Sequence, residues 1–224
     1  MSRFLNLSYM LDSNTPLYGN TPKPEISNIK SIDKGDSSNL YEIKVCNHSG
    51  THVDAPLHFV KDGRPLSDYS LDELTFQKPL LIEIPKKAGE WIEKEDIEKL
   101  ELTEIDCLLF KTGFGKHRSD NIYRLNNPGI SPEAILFLRE KYKSIRCLGI
   151  DSISITGFQD RPRGRTAHKV AFEEKKGLGK PLLLIEDMNF SVINTTKTIK
   201  KIILVPWLIK NIDSAPCAVL AEVS

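Results

Sequence analysis

Apolar residues occur along the chain in short runs that turn-forming residues separate. Each run has about the length of a buried β-strand, roughly four to eight residues. The runs are Leu80 to Ile84, Cys107 to Lys111, Arg146 to Ile150, Leu182 to Ile185, and Ile202 to Val205. The pattern therefore predicts several buried strands spread over the last two thirds of the chain.

Helical patterns lie between these runs. The clearest helix is predicted for Ser131 to Lys141, because Ser131 is a suitable N-cap and Pro132 suits the first helical position. An acidic residue follows in the first turn, where it complements the helix dipole. A shorter helix is predicted for Glu93 to Leu100, and another candidate follows Pro65 and extends through Leu74.

The first part of the chain differs from the rest. Residues 12–39 are rich in Pro, Asn, Ser and Gly, which is typical of an extended, loop-rich segment with some edge strand. Because strands and helices interleave and the N-terminal third is strand-rich, the predicted fold class is mixed α/β. We find no repeat, low-complexity tract or linker, so residues 1–224 are predicted to form a single domain.

Charge and cysteine content narrow the function classes. Lys and Arg total 31 against 30 Asp and Glu, a net charge of +1, which argues against nucleic acid or a membrane surface as partner. Met1 to Ser8 lack the apolar run of a signal peptide, and no stretch reaches the roughly 20 apolar residues that span a bilayer. The four cysteines lie far apart, which favours free thiols and a reducing, cytoplasmic location.

Three of the five histidines fall within eleven consecutive residues, His48 to His58. Spacing of four between His48 and His52 would place both on one helix face, but Gly50, the β-branched neighbours and Pro56 disfavour a helix. In an extended chain, side chains alternate between two sides. The sequence then predicts that His48, His52 and Asp54 converge, with Gly50 leaving room for an ion.

Two imidazoles and a carboxylate suit Zn²⁺ or Mn²⁺, and three protein ligands leave positions open for water, as catalytic sites require. Cys46 shares the same parity and is a less favoured additional ligand. His58 lies beyond Pro56, off the run, where it could act as an acid/base. The alternative is that each histidine is simply structural or exposed.

The segment His48-x-Gly50-Thr51-His52-x-Asp54-x-Pro56-x-His58 resembles the HxGTHxDxPxH signature of the cyclase family, which includes bacterial arylformamidases (kynurenine formamidases) and isatin hydrolase. The resemblance extends along most of the chain. Other stretches similar to family elements are Leu7-Ser8 with Thr15 to Tyr18, Phe110 to Lys116, Gly149 to Ser154, and His168 with Glu186 to Met188.

The resemblance implies a swivelling β/β/α domain, a mixed sheet with flanking helices, and a homodimer or homotetramer. It also implies one or two divalent metal ions, with Asp54 able to bridge them and His58 as the catalytic acid/base. The implied metal ligands are His48, His52, Asp54, His168 and Glu186. The chain departs from the family pattern in two places. Asn6 replaces an aspartate, and the charged insert Glu173 to Lys176 lengthens the spacing from His168 to Glu186, which affects the second half of the site. A core histidine and an edge-strand glutamate are the alternative interpretations of that pair.

The predicted function is a metal-dependent hydrolase of a small amide, and the nearest specific substrate is an N-formylkynurenine-like arylformamide. A metal-bound hydroxide would attack the carbonyl, and His58 would protonate the departing nitrogen. The alternatives are a cyclase or lyase acting on a small carbonyl compound, and a non-catalytic metal- or ligand-binding protein. A structural zinc site would usually be closed by four ligands, often cysteines, so the His/Asp set favours an open site.

Several further residues have predicted roles. Asp151 and Ser154 are candidates either to orient a metal-bound histidine or to cap a strand end. His117 lies in a polar loop and is predicted to be solvated. Aromatic residues that either line a substrate pocket or belong to the core are Tyr18, Phe59, Trp91, Phe114 and Trp207.

Overall fold

The computed structural model describes residues 3–193 and 198–224. The strands, in chain order, are β1 (Arg3–Asn6), β2 (Glu25–Lys30), β3 (Leu40–Lys44), β4 (His52–Asp54), β5 (Thr75–Phe76), β6 (Pro79–Glu83), β7 (Trp91–Ile92), β8 (Cys107–Lys111), β9 (Gly129–Ile130), β10 (Cys147–Ile150), β11 (Leu183–Glu186), β12 (Ile199–Pro206) and β13 (Ser214–Val223). The α-helices are α1 (Lys94–Ile97), α2 (Asn121–Leu125), α3 (Pro132–Lys141) and α4 (Arg161–Phe172).

Nine of these strands form one mixed sheet, in the order β5-β12-β13-β4-β11-β10-β8-β6, with β1 also paired to β13. Strands β6, β8, β10 and β11 run parallel, while β4, β12 and β13 pair antiparallel with their neighbours. Strand β6 at one edge approaches β12 near the other, so the sheet is nearly barrel-shaped. The expected α/β fold, a mixed sheet with flanking helices, is confirmed.

Alternation along the buried strands divides the core between two faces of the sheet. Leu109 of β8 and Ile185 of β11 point to the face that β12 and β13 cover, whereas Leu108 and Leu184 point to the face under α3 and α4. Because both faces are covered, these strands read as continuous apolar runs. The five strands predicted from those runs correspond to β6, β8, β10, β11 and β12.

The helix predictions have mixed outcomes. Helix α3 is confirmed, and the Ser131 side chain accepts a hydrogen bond from the backbone N–H of Ala134 at 3.1 Å. The segment from Glu93 to Leu100 contains only the single turn of α1. The helix predicted after Pro65 is wrong: there the chain forms a 3₁₀ turn at Leu66–Asp68, and the Glu73 carboxylate accepts from the Ser70 N–H to hold a further turn.

Strand β2 of the loop-rich segment pairs with β3, which follows that segment, in a hairpin that is separate from the large sheet. Its apolar side chains are exposed and include Ile26, Ile29, Leu40, Tyr41 and Ile43. The homo-oligomer expected from the resemblance stays a prediction. In the part of the chain that the structure describes, no helix combines the length and apolar character needed to cross a membrane.

The four cysteines are free thiols, as predicted, and those of β8, β10 and β13 are buried. The domain limits 1–224 include residues 1–2 and 194–197, which lie outside the described residues.

Candidate metal and acid–base site

Strand register brings three of the predicted ligands together. Strand β4 is flanked by β11 and β13, and its His52 lies directly opposite Glu186 of β11. Opposed residues of an antiparallel pair project to the same face, and His52 Nε2 is 3.4 Å from Glu186 Oε2. Asp54, two residues further along β4, projects to the same side, with its Oδ1 3.5 Å from His52 Nε2.

The fourth predicted ligand, His168, is supplied by helix α4. Gly164, one turn earlier, allows α4 to lie against the Thr156 side chain, because a Cβ at that position would come within 2.3 Å of it. His168 is thereby buried, with its Nε2 3.6 Å from Glu186 Oε1 and 4.0 Å from Asp54 Oδ2. Helix α4 was not predicted from the sequence, since Pro162 and Gly164 interrupt its pattern.

His48 reaches the site by a different path from the one predicted. Only His52–Asp54 is strand, while residues 47–51 form a turn in which Gly50 has a φ of +65°. The prediction that side chains alternate in an extended chain from His48 to Asp54 is therefore wrong for residues 48–51. There Gly50, in the left-handed conformation, reverses the chain direction. His48 and Asp54 nevertheless converge, with Nδ1 of the imidazole 3.0 Å from Oδ1 of the carboxylate.

We name His52, Asp54, His168 and Glu186 the inner cluster; all four are buried. Three of its polar atoms make no hydrogen bond to the described residues, namely His52 Nε2 and both carboxylate oxygens of Asp54, of which Oδ1 has only the ion-pair contact with His48 Nδ1. Buried polar atoms without partners are costly and rare. They are accounted for if a cation binds between them, so these residues fit a divalent metal ion.

Each inner histidine is held through its other ring nitrogen. His52 Nδ1 lies 2.8 Å from the carbonyl oxygen of Gly50, and His168 Nδ1 lies 3.0 Å from that of Gly164. A carbonyl accepts only, so in both rings Nδ1 donates and Nε2 is the nitrogen that faces the cluster. This is the usual arrangement of metal-binding histidines. Glu186 Oε1 likewise accepts from the Ser154 hydroxyl at 2.9 Å and the Ile155 N–H at 2.8 Å.

The outer cluster comprises His48, His58 and Asp213, and their side chains are 26–27% exposed. Asp213 Oδ2 lies 3.0 Å from His48 Nε2 and 2.8 Å from His58 Nδ1, and Oδ1 accepts from the Asn47 amide at 2.7 Å. The carbonyl of Asp213 also accepts from the Ala55 N–H at 2.8 Å. Both predicted histidines thus share one carboxylate.

Asp213 was missed by sequence reasoning. It is 155 residues from His58 and belongs to no pattern around the histidines. The sequence did contain a signal. Asp213 is an acidic residue immediately before the apolar strand β13, and side chains at strand ends often meet at the same edge of a sheet.

The charged groups of the two clusters shift one another's pKa values. Burial alone would lower the pKa of His48, but the Asp54 and Asp213 carboxylates raise that pKa to about 10. Burial would raise the pKa of Glu186, but the neighbouring His168 and His52 imidazoles lower it to about 2. Burial is overcome in the same way at Asp54, whose pKa is lowered by His48 and His52. Positive charge close to these carboxylates is therefore favoured.

Other sequence-predicted residues take different positions. Asp151 accepts from the backbone and hydroxyl of Thr112 and from the Gly113 N–H, so it caps the loop after β8 rather than orienting a histidine. Cys46 belongs to none of the potential metal-binding groups among the described residues. His117 ends a short 3₁₀ helix, Phe114–His117, with its Nδ1 3.2 Å from Asp120 Oδ2, and it does not line the site cavity.

The histidines open onto a cavity of about 360 Å³, a size suited to a small molecule. Of the aromatic candidates, Tyr18 and Phe59 line it. Phe114 packs in a separate small cluster, Trp207 is exposed, and Trp91 packs against Gly129 and Gly157.

The charged insert that lengthens the spacing between His168 and Glu186 forms an exposed loop between α4 and β11. His168 and Glu186 still meet in the inner cluster, with His168 Nε2 3.6 Å from Glu186 Oε1.

Comparison with known proteins agrees with this arrangement. The family model described as "Putative cyclase" matches residues 5–156, which include the whole segment from His48 to His58. The kynurenine formamidase of Bacillus anthracis is 30% identical over 162 residues, covering 71% of this chain and 73% of that protein.

Solved structures extend the likeness to the whole chain. A predicted metal-dependent hydrolase from Bacillus stearothermophilus has a TM-score of 0.76 at 23% identity, over 99% of this chain and 98% of that one. Isatin hydrolase A from Labrenzia aggregata, bound to benzyl benzoate, has a TM-score of 0.78 at 22% identity, over 99% of this chain and 93% of that one. These two share the fold. With a family match over more than half of its length, the chain belongs to the putative cyclase family.

Proposed function

We propose that this protein is a metal-dependent hydrolase of small amides, and that an arylformamide of the N-formylkynurenine type is its nearest substrate. The observation that carries the proposal is the inner cluster, in which two imidazoles have Nδ1 bound to a carbonyl and Nε2 directed at unpartnered carboxylate oxygens. The likeness to a kynurenine formamidase supports the reaction class.

The residues that would hold the metal are His48, His52 and Asp54, with His168 and Glu186 completing a second position around the same Asp54 carboxylate. Nitrogen and oxygen ligands of this kind suit zinc or manganese, and the set is large enough for one or two ions. When bound, such an ion polarises a carbonyl and lowers the pKa of coordinated water to about 7.

His58 is proposed as the acid/base. Its Nδ1 lies on Asp213, so the other ring nitrogen is available to a substrate in the cavity that His58 lines. In amide hydrolysis, water adds to the carbonyl carbon, the C–N bond breaks, and the nitrogen leaves with an added proton. Asp213 holds the imidazole in one orientation through the 2.8 Å contact with Nδ1, as a carboxylate partner does for a general acid.

The test combines elemental analysis of the purified protein with a hydrolysis assay on N-formylaniline, an N-formyl aryl amine. At least one zinc or manganese per chain together with release of formate and aniline is expected. Stoichiometric metal without formamide hydrolysis, but with opening of the cyclic amide isatin or conversion of a small carbonyl compound, would replace the arylformamidase proposal. Metal without any turnover would favour a binding protein.

A further inference from the structure

Two arginines line the cavity beside the histidines. Arg161 and Arg165 are one helical turn apart on α4, and His168 follows on the same face. We propose that this pair binds a carboxylate carried by the substrate, so that the protein selects amides with an anionic group remote from the scissile bond. The proposal rests on the proposed amide hydrolysis and names its substrate class.

Their lack of ion pairs distinguishes the two arginines from a neighbour. Arg163, on the same helix, has its guanidinium 2.8 Å from Glu93 and 3.2 Å from Glu133. Over residues 3–193 and 198–224, neither Arg161 nor Arg165 has a carboxylate within 4.0 Å. Arg163 braces the helix, whereas the charges of the other two are left for the cavity.

Arg161 is held in place by aromatic rings. Its guanidinium carbon is 4.2 Å from the centre of the Phe158 ring and 5.8 Å from that of Tyr18. Cation–π contacts of this kind fix a guanidinium without neutralising its charge. Arg161 is also the first residue of α4, where the helix dipole disfavours a cation and favours an anion.

The cavity wall also offers a neutral donor. The Tyr18 hydroxyl is buried, lines the cavity, and its hydrogen has no acceptor among the described residues. Burial raises the pKa of Tyr18 to about 12, with Arg161 and Arg165 opposing the rise, so the hydroxyl stays protonated at neutral pH. Two guanidinium groups and one hydroxyl then face a bound carboxylate, while the amide extends toward the inner cluster.

The test uses two substrates that differ in one group, N-formylaniline and 4-formamidobenzoate, with the metal-loaded protein. The wild type should hydrolyse the carboxylate substrate with a higher kcat/KM. In the double variant Arg161→Ala/Arg165→Ala, the ratio of the two kcat/KM values should fall by about 10- to 100-fold, chiefly through KM, as expected for lost charge-assisted hydrogen bonds. Arg161→Lys/Arg165→Lys should retain part of the preference, because it keeps the charge.

Lys169→Ala provides the matched control, since Lys169 is an exposed cation of α4 that does not line the cavity. The control should keep the wild-type ratio. Equal kcat/KM for both substrates in the wild type, or an unchanged ratio in the double alanine variant, would overturn the carboxylate site.

A binding measurement distinguishes failure of the proposed amide hydrolysis from failure of the carboxylate site. If neither formamide is hydrolysed, calorimetric titration with benzoate and with benzamide still tests the arginines. Benzoate binding that is tighter than benzamide binding and is lost in the double alanine variant supports the site. Benzoate binding of equal strength in both proteins, or none in the wild type, refutes it.

Discussion

The inner and outer clusters contain the same kinds of side chain, imidazoles and carboxylates, but their surroundings differ. Inner side chains are 1–5% exposed, whereas outer ones are 26–27% exposed. Three inner atoms, His52 Nε2 and the two Asp54 oxygens, make no hydrogen bond to the described residues, whereas His48 and His58 both contact Asp213.

This difference separates two kinds of chemistry within a few ångströms. A bound cation would replace the missing partners of the buried inner cluster, since burying unpaired charge is costly. A half-exposed imidazole on a carboxylate can instead exchange its proton with substrate and solvent. His48 connects the two clusters, because its Nδ1 contacts the Asp54 carboxylate and its Nε2 contacts the Asp213 carboxylate. The comparison therefore predicts that substitution of an inner residue removes metal, while substitution of His58 or Asp213 impairs proton transfer.

The largest effect is expected for His52→Ala. Loss of this ligand should reduce bound metal to near zero and lower activity beyond about 10⁴-fold, the upper range of an acid–base step. Elemental analysis and a rate assay measure both, and circular dichroism reports the fold. His117→Ala is the matched control, as His117 lies outside the cavity. Full metal content in a folded His52→Ala protein would contradict the ligand assignment.

His58→Ala should keep its metal yet lower kcat by about 10²–10⁴-fold, the range of a positioned general acid or base. The reason is that His58 is held by Asp213 and makes no hydrogen bond to the orphaned inner atoms, although its ring lies near Asp54 and His168. Parallel metal and rate measurements distinguish the two effects. An unchanged kcat would remove the acid/base role, and loss of metal would move His58 into the inner cluster.

Asp213→Asn should have an intermediate effect, about 10- to 100-fold on activity, as is usual for partners that orient a metal-site histidine. The amide keeps the shape but loses the charge that His48 and His58 share. The kcat–pH profile should shift, and Asp213→Glu should restore part of the rate, neither of which a purely structural defect produces. Asp120→Asn, which alters the comparable Asp120–His117 pair at 3.2 Å, is the control and should leave both unchanged.

The smallest effect concerns protons released on metal binding. Because the pKa of His48 is raised to about 10, this imidazole is protonated at pH 7 in the metal-free protein and must lose its proton to bind an ion. Binding should therefore weaken as pH falls, by about tenfold per pH unit for each proton released. Calorimetry in two buffers of different ionisation enthalpy measures the release. Identical heats would show that His48 binds no metal.

Sequence patterns predict the local parts of this molecule well. The buried strands have apolar runs because both faces are covered, and α3 has a readable cap at Ser131. Helix α4 has a glycine and a proline in its first turns, so its propensity is weak; packing of Gly164 on Thr156 stabilises it instead. Propensity cannot report such a contact, since Thr156 comes from another segment.

The candidate chemistry can be read from the sequence, because His48, His52, Asp54 and His58 lie within eleven residues and any compact conformation keeps them near one another. The division of these groups between a buried inner cluster and an outer cluster depends on the fold. The register of β4 against β11 placed Glu186 opposite His52, and the β4–β13 pairing brought Asp213 beneath two histidines. These are long-range pairings, set by the hydrogen-bond register of the sheet and by burial of its two faces, and a local pattern contains neither.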